Sequence, residues 1–123
     1  MSFASLLREI VEGCGGGIAA ALMQSDGIPI DQVTRSAAAG SLGEDVATAG
    51  AEFGRILEEI RKASDAIAGG AVTEASVMMA RLTLLFRVVD PDTFLVVALA
   101  PDGNLGKARY LMRKQVPSLR QLL

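Results

Sequence analysis

In the stretch "EGCGGGIAAALMQSDGIPID", four of the five residues from Gly13 to Gly17 are glycine and the fifth, Cys14, is the chain's single cysteine. Glycine clusters build phosphate cradles, and cysteines can serve as nucleophiles or metal ligands. A Walker-type phosphate loop needs a strand, then glycines, then Lys and Ser or Thr opening a helix whose amides face the anion. Here the order is a helical stripe, glycines, then an apolar run that reads as a strand, and no Gly-Lys-Ser/Thr occurs. No GxGxxG opens a helix either. The glycines are therefore expected to stop a first helix and let the backbone turn into a sheet.

Nucleophilic catalysis finds no better support. There is no His, so Cys14 would need another base or a strongly lowered pKa, and a buried or half-buried packing role is expected instead. One Cys without His cannot form the common zinc sets within one chain. Adjacent carboxylates occur as Glu44/Asp45 and Glu58/Glu59, but neighbours on a helix diverge by about 100° and do not converge on one substrate. Glu58 can meet Lys62 one turn on. No acid, base, nucleophile and oxyanion set assembles, so neither an activity of its own, nor a cofactor, metal or small-molecule substrate, is expected.

At 123 residues, half of them hydrophobic, the chain is long enough for one domain with a real core and too short for two ordinary ones, giving a single domain over 1–123. There is no Trp and few aromatics, so burial must come from many small and medium side chains. Net charge is −2, distributed as ten acids and five bases in residues 1–68, and four acids and seven bases in 69–123. Neither half has the basic excess of a phosphate-backbone reader, so no nucleic-acid partner is expected. From Asn104 to Leu123 there are five bases, Lys107, Arg109, Arg113, Lys114 and Arg120, and no acid, which reads as a solvated helix face. The start, "MSFASLLREIVEG", lacks a basic n-region and a long apolar h-region, and no apolar run reaches a membrane span. A soluble cytoplasmic protein is expected.

The elements that must position these residues follow from periodicity. Phe3, Leu6, Leu7, Ile10 and Val11 form a helical stripe with Ser2 as its cap and Gly13 as its stop. "GIAAALMQ", "SDG" and "IPIDQV" read as a hairpin from Ile18 to Val33, and Pro29, which lacks a ladder donor, places its second strand at a sheet edge. The longest periodic segment runs from Glu44 to about Ile67, with Val46, Ala49, Phe53, Ile56, Leu57, Ile60, Ala63 and Ile67 on one stripe; Glu44 and Asp45 favour its start, and "AGG" ends it. "TEASVMMA", "LTLLFRVV" and "TFLVVALA" then form an antiparallel meander whose last strand, without a polar side chain after Thr93, must be central. A final helix opens at Asn104, with Leu105, Ala108, Leu111, Met112, Gln115, Leu119 and Leu122 on one side, and Pro117 bends its end.

Small residues on the long helix require an explanation. Ala47, Gly50, Ala51 and Gly54 share a flank beside the apolar stripe, and each interior glycine costs about 1 kcal/mol relative to Ala. Close approach of another backbone would offset that, either the chain's own sheet or the same helix of a second chain. The third strand, with Ser76, Val77, Met78 and Met79, should form the other sheet edge and is nearly uncharged, which invites strand addition. A two-fold dimer that pairs third strands, with the long helices side by side over the seam, would satisfy both observations.

The order of elements, "ALMQSDGIPI", and "LVVALAPDGNLGKARYLMRK" with its strand running into Asn-Leu-Gly at a helix start, resemble the roadblock family, the dynein light-chain roadblock type, over nearly the whole chain. This family includes MglB-like bacterial GTPase regulators. The resemblance implies an α+β fold of order α-β-β-α-β-β-β-α: a five-stranded antiparallel sheet with the long helix on one face and the terminal helices on the other. It also implies a homodimer through the third strand and long helix, and a small Ras-like GTPase as partner. Family members that stimulate hydrolysis reshape the GTPase's own switch regions, so no inserted arginine is needed. By analogy the partner surface is the outer face of the paired long helices, here Thr48, Glu52, Arg55, Glu59 and Lys62. The alternative is a structural scaffold or adaptor subunit without nucleotide sensing. The Ala- and Gly-rich stretch from Arg35 to Gly54 departs from the family pattern.

Overall fold

The computed structural model describes residues 1–35 and 46–123. The expected helix start at Glu44 and Asp45, and most of the Ala- and Gly-rich stretch before them, lie outside the described residues.

Helix α1 (Phe3–Gly13) opens with a capping box, in which Ser2 Oγ accepts from the Ser5 N–H at 3.1 Å and Ser5 Oγ accepts from the Ser2 N–H at 3.0 Å. Its stripe of Leu6, Leu7, Ile10 and Val11 is buried. Strands β1 (Gly17–Gln24) and β2 (Pro29–Thr34) form the first hairpin. In its turn Asp26 Oδ1 accepts from the Ile28 N–H at 3.1 Å. The long helix α2 (Val46–Ala66) follows, then β3 (Glu74–Met78), β4 (Thr83–Asp90), β5 (Thr93–Leu99) and α3 (Leu105–Leu122). Asn104 caps α3 by accepting from the Lys107 N–H at 3.0 Å, and the helix runs through Pro117 to Leu122.

The strands form one antiparallel sheet in the order β2-β1-β5-β4-β3. Pro29 sits on one edge strand, β3 is the other edge, and β5, with all seven residues buried, is central. This is the α+β architecture expected from the sequence. The side chains of β5 alternate between two cores. Leu95, Val97 and Leu99 join Leu7, Ile10, Met112 and Leu119 beneath α1 and α3, whereas Phe94, Val96 and Ala98 join Val46, Leu57, Met23 and Phe86 beneath α2.

The glycine-rich segment serves this architecture. Gly16, at φ +85°, lies so close to Gly103 that a Cβ would stand 2.7 Å from its Cα, and a Cβ on Gly17 would stand 2.2 Å from the Val11 carbonyl oxygen. The Ala100 N–H donates to the Gly16 carbonyl at 2.8 Å and the Asn104 N–H to that of Gly15 at 2.7 Å. The segment thus ties the entry of β1 to the exit of β5 and the cap of α3 through its carbonyls. Cys14 is buried beside it, and burial pushes its thiol pKa up, which keeps it protonated and unreactive near neutrality.

Candidate functional site

The seat of α2 on the sheet differs from the hydrophobic pattern. Its buried residues are Val46, Gly50, Gly54 and Leu57. A Cβ on Gly50 would lie 3.1 Å from Met23 Cγ and 3.2 Å from Val96 Cγ1, and one on Gly54 would lie 2.8 Å from Phe94 Cζ. Ala51 faces the hairpin turn, its Cβ being 3.4 Å from where a Gly27 Cβ would stand, and Ala47 packs on the same core. The small flank Ala47, Gly50, Ala51 and Gly54 is therefore occupied by the chain's own sheet and hairpin. Of the two partners the sequence leaves open for these small residues, the chain's own sheet is the one that packs on Gly50 and Gly54 within one copy. The physical reason is reach: glycine lets the α2 backbone descend until Met23, Val96 and Phe94 fill the space beneath it.

That close approach turns another stripe outward. Ile56 and Ile60, expected in the core, are 52% and 41% exposed, and Ala63 and Ile67 are exposed as well. Phe53 lies on this flank, half-buried, with its ring centroid 5.7 Å from that of Phe86 on β4. The flank consequently overlooks the β4 and β3 side of the sheet, where the outer edge of β3 pairs with no other strand among the described residues. On β3, Ala75 and Val77 point toward α2 and are half-buried, while Ser76 and Met78 are exposed, Met78 to 69%. Met79, just past the strand, is also exposed. Helix flank and strand edge together make an apolar surface.

Opposite the buried face, Thr48, Glu52, Arg55, Glu59 and Lys62 are all exposed and share one outward stripe at helical spacing. Their charges pair locally, with Arg55 Nη1 3.5 Å from Glu52 Oε2 and Lys62 Nζ 3.2 Å from Glu59 Oε1. Glu58 pairs with Arg61 at 3.4 Å, one position short of the Lys62 expected for it.

A cavity of about 530 Å³ was not foreseen from the sequence. It lies between the C-terminal half of α2, the chain leading into β3, the β4–β5 turn and the end of α3, with Arg61, Arg87, Arg120, Glu58, Asp65 and Asp90 on its walls. Its arginines are engaged by the chain itself: Arg61 by Glu58 and the Pro91 carbonyl, Arg87 by Glu74, and Arg120 by the Val89 carbonyl. The lining comes from four separated segments, and no spacing rule joins them. Among the described residues no cluster of His, Cys, Asp and Glu could hold a metal ion. No helix among them is long and apolar enough to cross a membrane.

No family model and no curated protein matches the chain. Solved structures do. MglC from Myxococcus xanthus is 36% identical over the full length of both chains, with a TM-score of 0.69. A Roadblock/LC7 domain from Streptomyces avermitilis superposes with a TM-score of 0.85 at 18% identity, covering 99% of this chain and 98% of that one. The gliding protein MglB from Thermus thermophilus does so with 0.84 at 14% identity, covering 96% of this chain and 85% of that one. The last two establish the fold; identity to MglC across the whole chain, joined to the same element order and sheet, places the protein in the Roadblock/LC7 family.

Proposed function

We propose that this chain is a homodimeric regulator or adaptor of a small Ras-like GTPase. The observation that carries the reading is the exposed apolar surface formed by Phe53, Ile56 and Ile60 of α2 beside the unpaired β3 edge. A row of unpaired strand groups next to a row of exposed isoleucines is a surface that a second copy covers by continuing the sheet and pairing the helices. A structure of MglB with a tetrameric arrangement is among the fold neighbours, so the same architecture occurs in an oligomer. In such a dimer the stripes of Thr48, Glu52, Arg55, Glu59 and Lys62 lie side by side on the outside and form the surface offered to the GTPase.

The local pairing of Glu52 with Arg55 and Glu59 with Lys62 favours a second reading, a scaffold without nucleotide sensing, because a self-neutralised stripe has little charge left for a switch region. One experiment separates them. The tagged protein is incubated with native lysate containing either a GTP analogue or GDP, and bound proteins are identified by mass spectrometry. Regulation predicts a small GTPase enriched with one nucleotide and lost in the Glu52→Arg/Arg55→Glu variant. Equal recovery under both nucleotides, with no GTPase among the bound proteins, selects the scaffold.

A further inference from the structure

The outer face of α3 lies on the side of the sheet opposite α2, and neither the dimer nor the GTPase surface uses it. The buried side of α3, formed by Ala108, Met112, Gln115, Val116 and Leu119, is committed to the core. Gln115 Nε2 also donates to Glu9 Oε2 of α1 at 2.5 Å, which fixes the helix's rotation. Of the five cations of α3, Lys107, Arg113, Lys114 and Arg120 are exposed and Arg109 is half-buried. Two are held by the chain: Arg109 Nε lies 3.1 Å from Glu74 Oε2, an ion pair without hydrogen-bond alignment, and Arg120 Nε donates to the Val89 carbonyl. Among the described residues, Lys107, Arg113 and Lys114 make no ion pair.

Tyr110 stands in the middle of those three, 59% exposed. Helical spacing puts Gly106 and Lys107 one turn before it and Arg113 and Lys114 one turn after, so all four are its neighbours. Gly106 carries no side chain and leaves the surface one turn before Tyr110 open, since a Cβ there would meet only Asn104 Oδ1, at 3.8 Å. An exposed tyrosine ringed by cations, with no acid in reach on its own helix, has the composition of an interface centre.

We infer that this face of α3 docks an acidic protein segment, which sets Asp or Glu side chains on Lys107, Arg113 and Lys114 and an apolar side chain against Tyr110. The exposed Tyr110 ring among the cations calls for carboxylates and an apolar side chain offered together, which a protein segment supplies and a phosphate backbone does not. The apolar side of α3 is already buried, so apart from Tyr110 the helix has nothing to insert into a lipid surface.

The test is fluorescence anisotropy of the full chain with a labelled synthetic helical peptide of Glu and Leu, run beside phosphatidylserine vesicles and duplex DNA. The peptide is expected to bind more tightly than either and to weaken as salt rises. Arg113→Glu/Lys114→Glu and, separately, the charge-neutral Tyr110→Ser are each expected to weaken it about tenfold, whereas Arg55→Glu/Lys62→Glu on α2 leaves it unchanged. Unchanged melting curves show that the variants fold. No peptide binding, equal loss in the α2 variant, or tighter binding to vesicles or DNA would overturn the inference.

Discussion

At the scale of single residues, three positions separate packing, backbone strain and charge. Gly17→Ala would drive a Cβ to 2.2 Å from the Val11 carbonyl oxygen, a backbone atom that cannot move without shifting the end of α1. The expected loss is about 3 kcal/mol, measured by urea unfolding. Ala68 is the opposite case, since it holds φ 55° after the last turn of α2, where the Gly69 N–H closes onto the Ser64 carbonyl at 2.8 Å. Ala68→Gly should stabilise the chain by roughly 0.5–1 kcal/mol, because only the side chain's clash with its own backbone is relieved. Asp90 tests charge. Burial alone would raise its pKa, but the Thr93 hydroxyl, the Asp92 and Thr93 N–H groups and the nearby Arg120 together hold it below the ordinary 3.8. A carboxylate with a lowered folded pKa contributes stability in full above its unfolded value and loses it as pH falls through the folded one. Asp90→Asn should therefore destabilise at pH 7 and progressively less in the acid range below 3.8, a trend that thermal melts across pH would reveal.

At the scale of elements, α2 shows how far hydrophobic periodicity reads and where it stops. Gly54→Ala raises helix propensity by about 1 kcal/mol, yet its Cβ would sit 2.8 Å from the Phe94 ring, and a net loss of about 1–2 kcal/mol is expected. Ile56→Ala removes a much larger side chain from a half-exposed position and should cost less than that in the isolated monomer, the reverse of what the sequence pattern implies. Calorimetry at low protein concentration decides between the two rankings. The sheet was legible because its signals are local: Pro29 bars a central position, "TFLVVALA" demands burial on both faces, and Asn104 and Ser2 are caps. The rotation of α2 was not, because isoleucine scores as core wherever it falls, while the distance at which a glycine lets two elements meet depends on Phe94 and Met23, far away in the chain. The same limit hid the cavity between α2 and α3. The outward stripe from Thr48 to Lys62 was legible because it lies diametrically opposite the buried face, whichever apolar neighbours complete that face.

At the scale of the whole molecule, the question is what covers the apolar flank. Ile56, Ile60 and Phe53, beside Val77 on the edge strand β3, form an apolar surface of the kind monomeric proteins keep small. If a second copy covers it, folding and association are linked by mass action, and stability must depend on protein concentration. The melting temperature should rise with each tenfold increase in concentration, with sedimentation showing twice the monomer mass at micromolar levels. Ile56→Lys/Ile60→Lys should abolish both effects while leaving a folded monomer, because these side chains contribute little to the monomer's own core. Gly50→Ala provides the contrast, since its Cβ would press on Met23 and Val96 inside one chain, so its effect on the melting temperature should be the same at every concentration and leave the slope unchanged. A wild-type melting temperature independent of concentration, with monomer mass throughout, would remove the dimer and with it the paired outer face of α2. The basic face of α3 would be untouched, since it is complete within one copy.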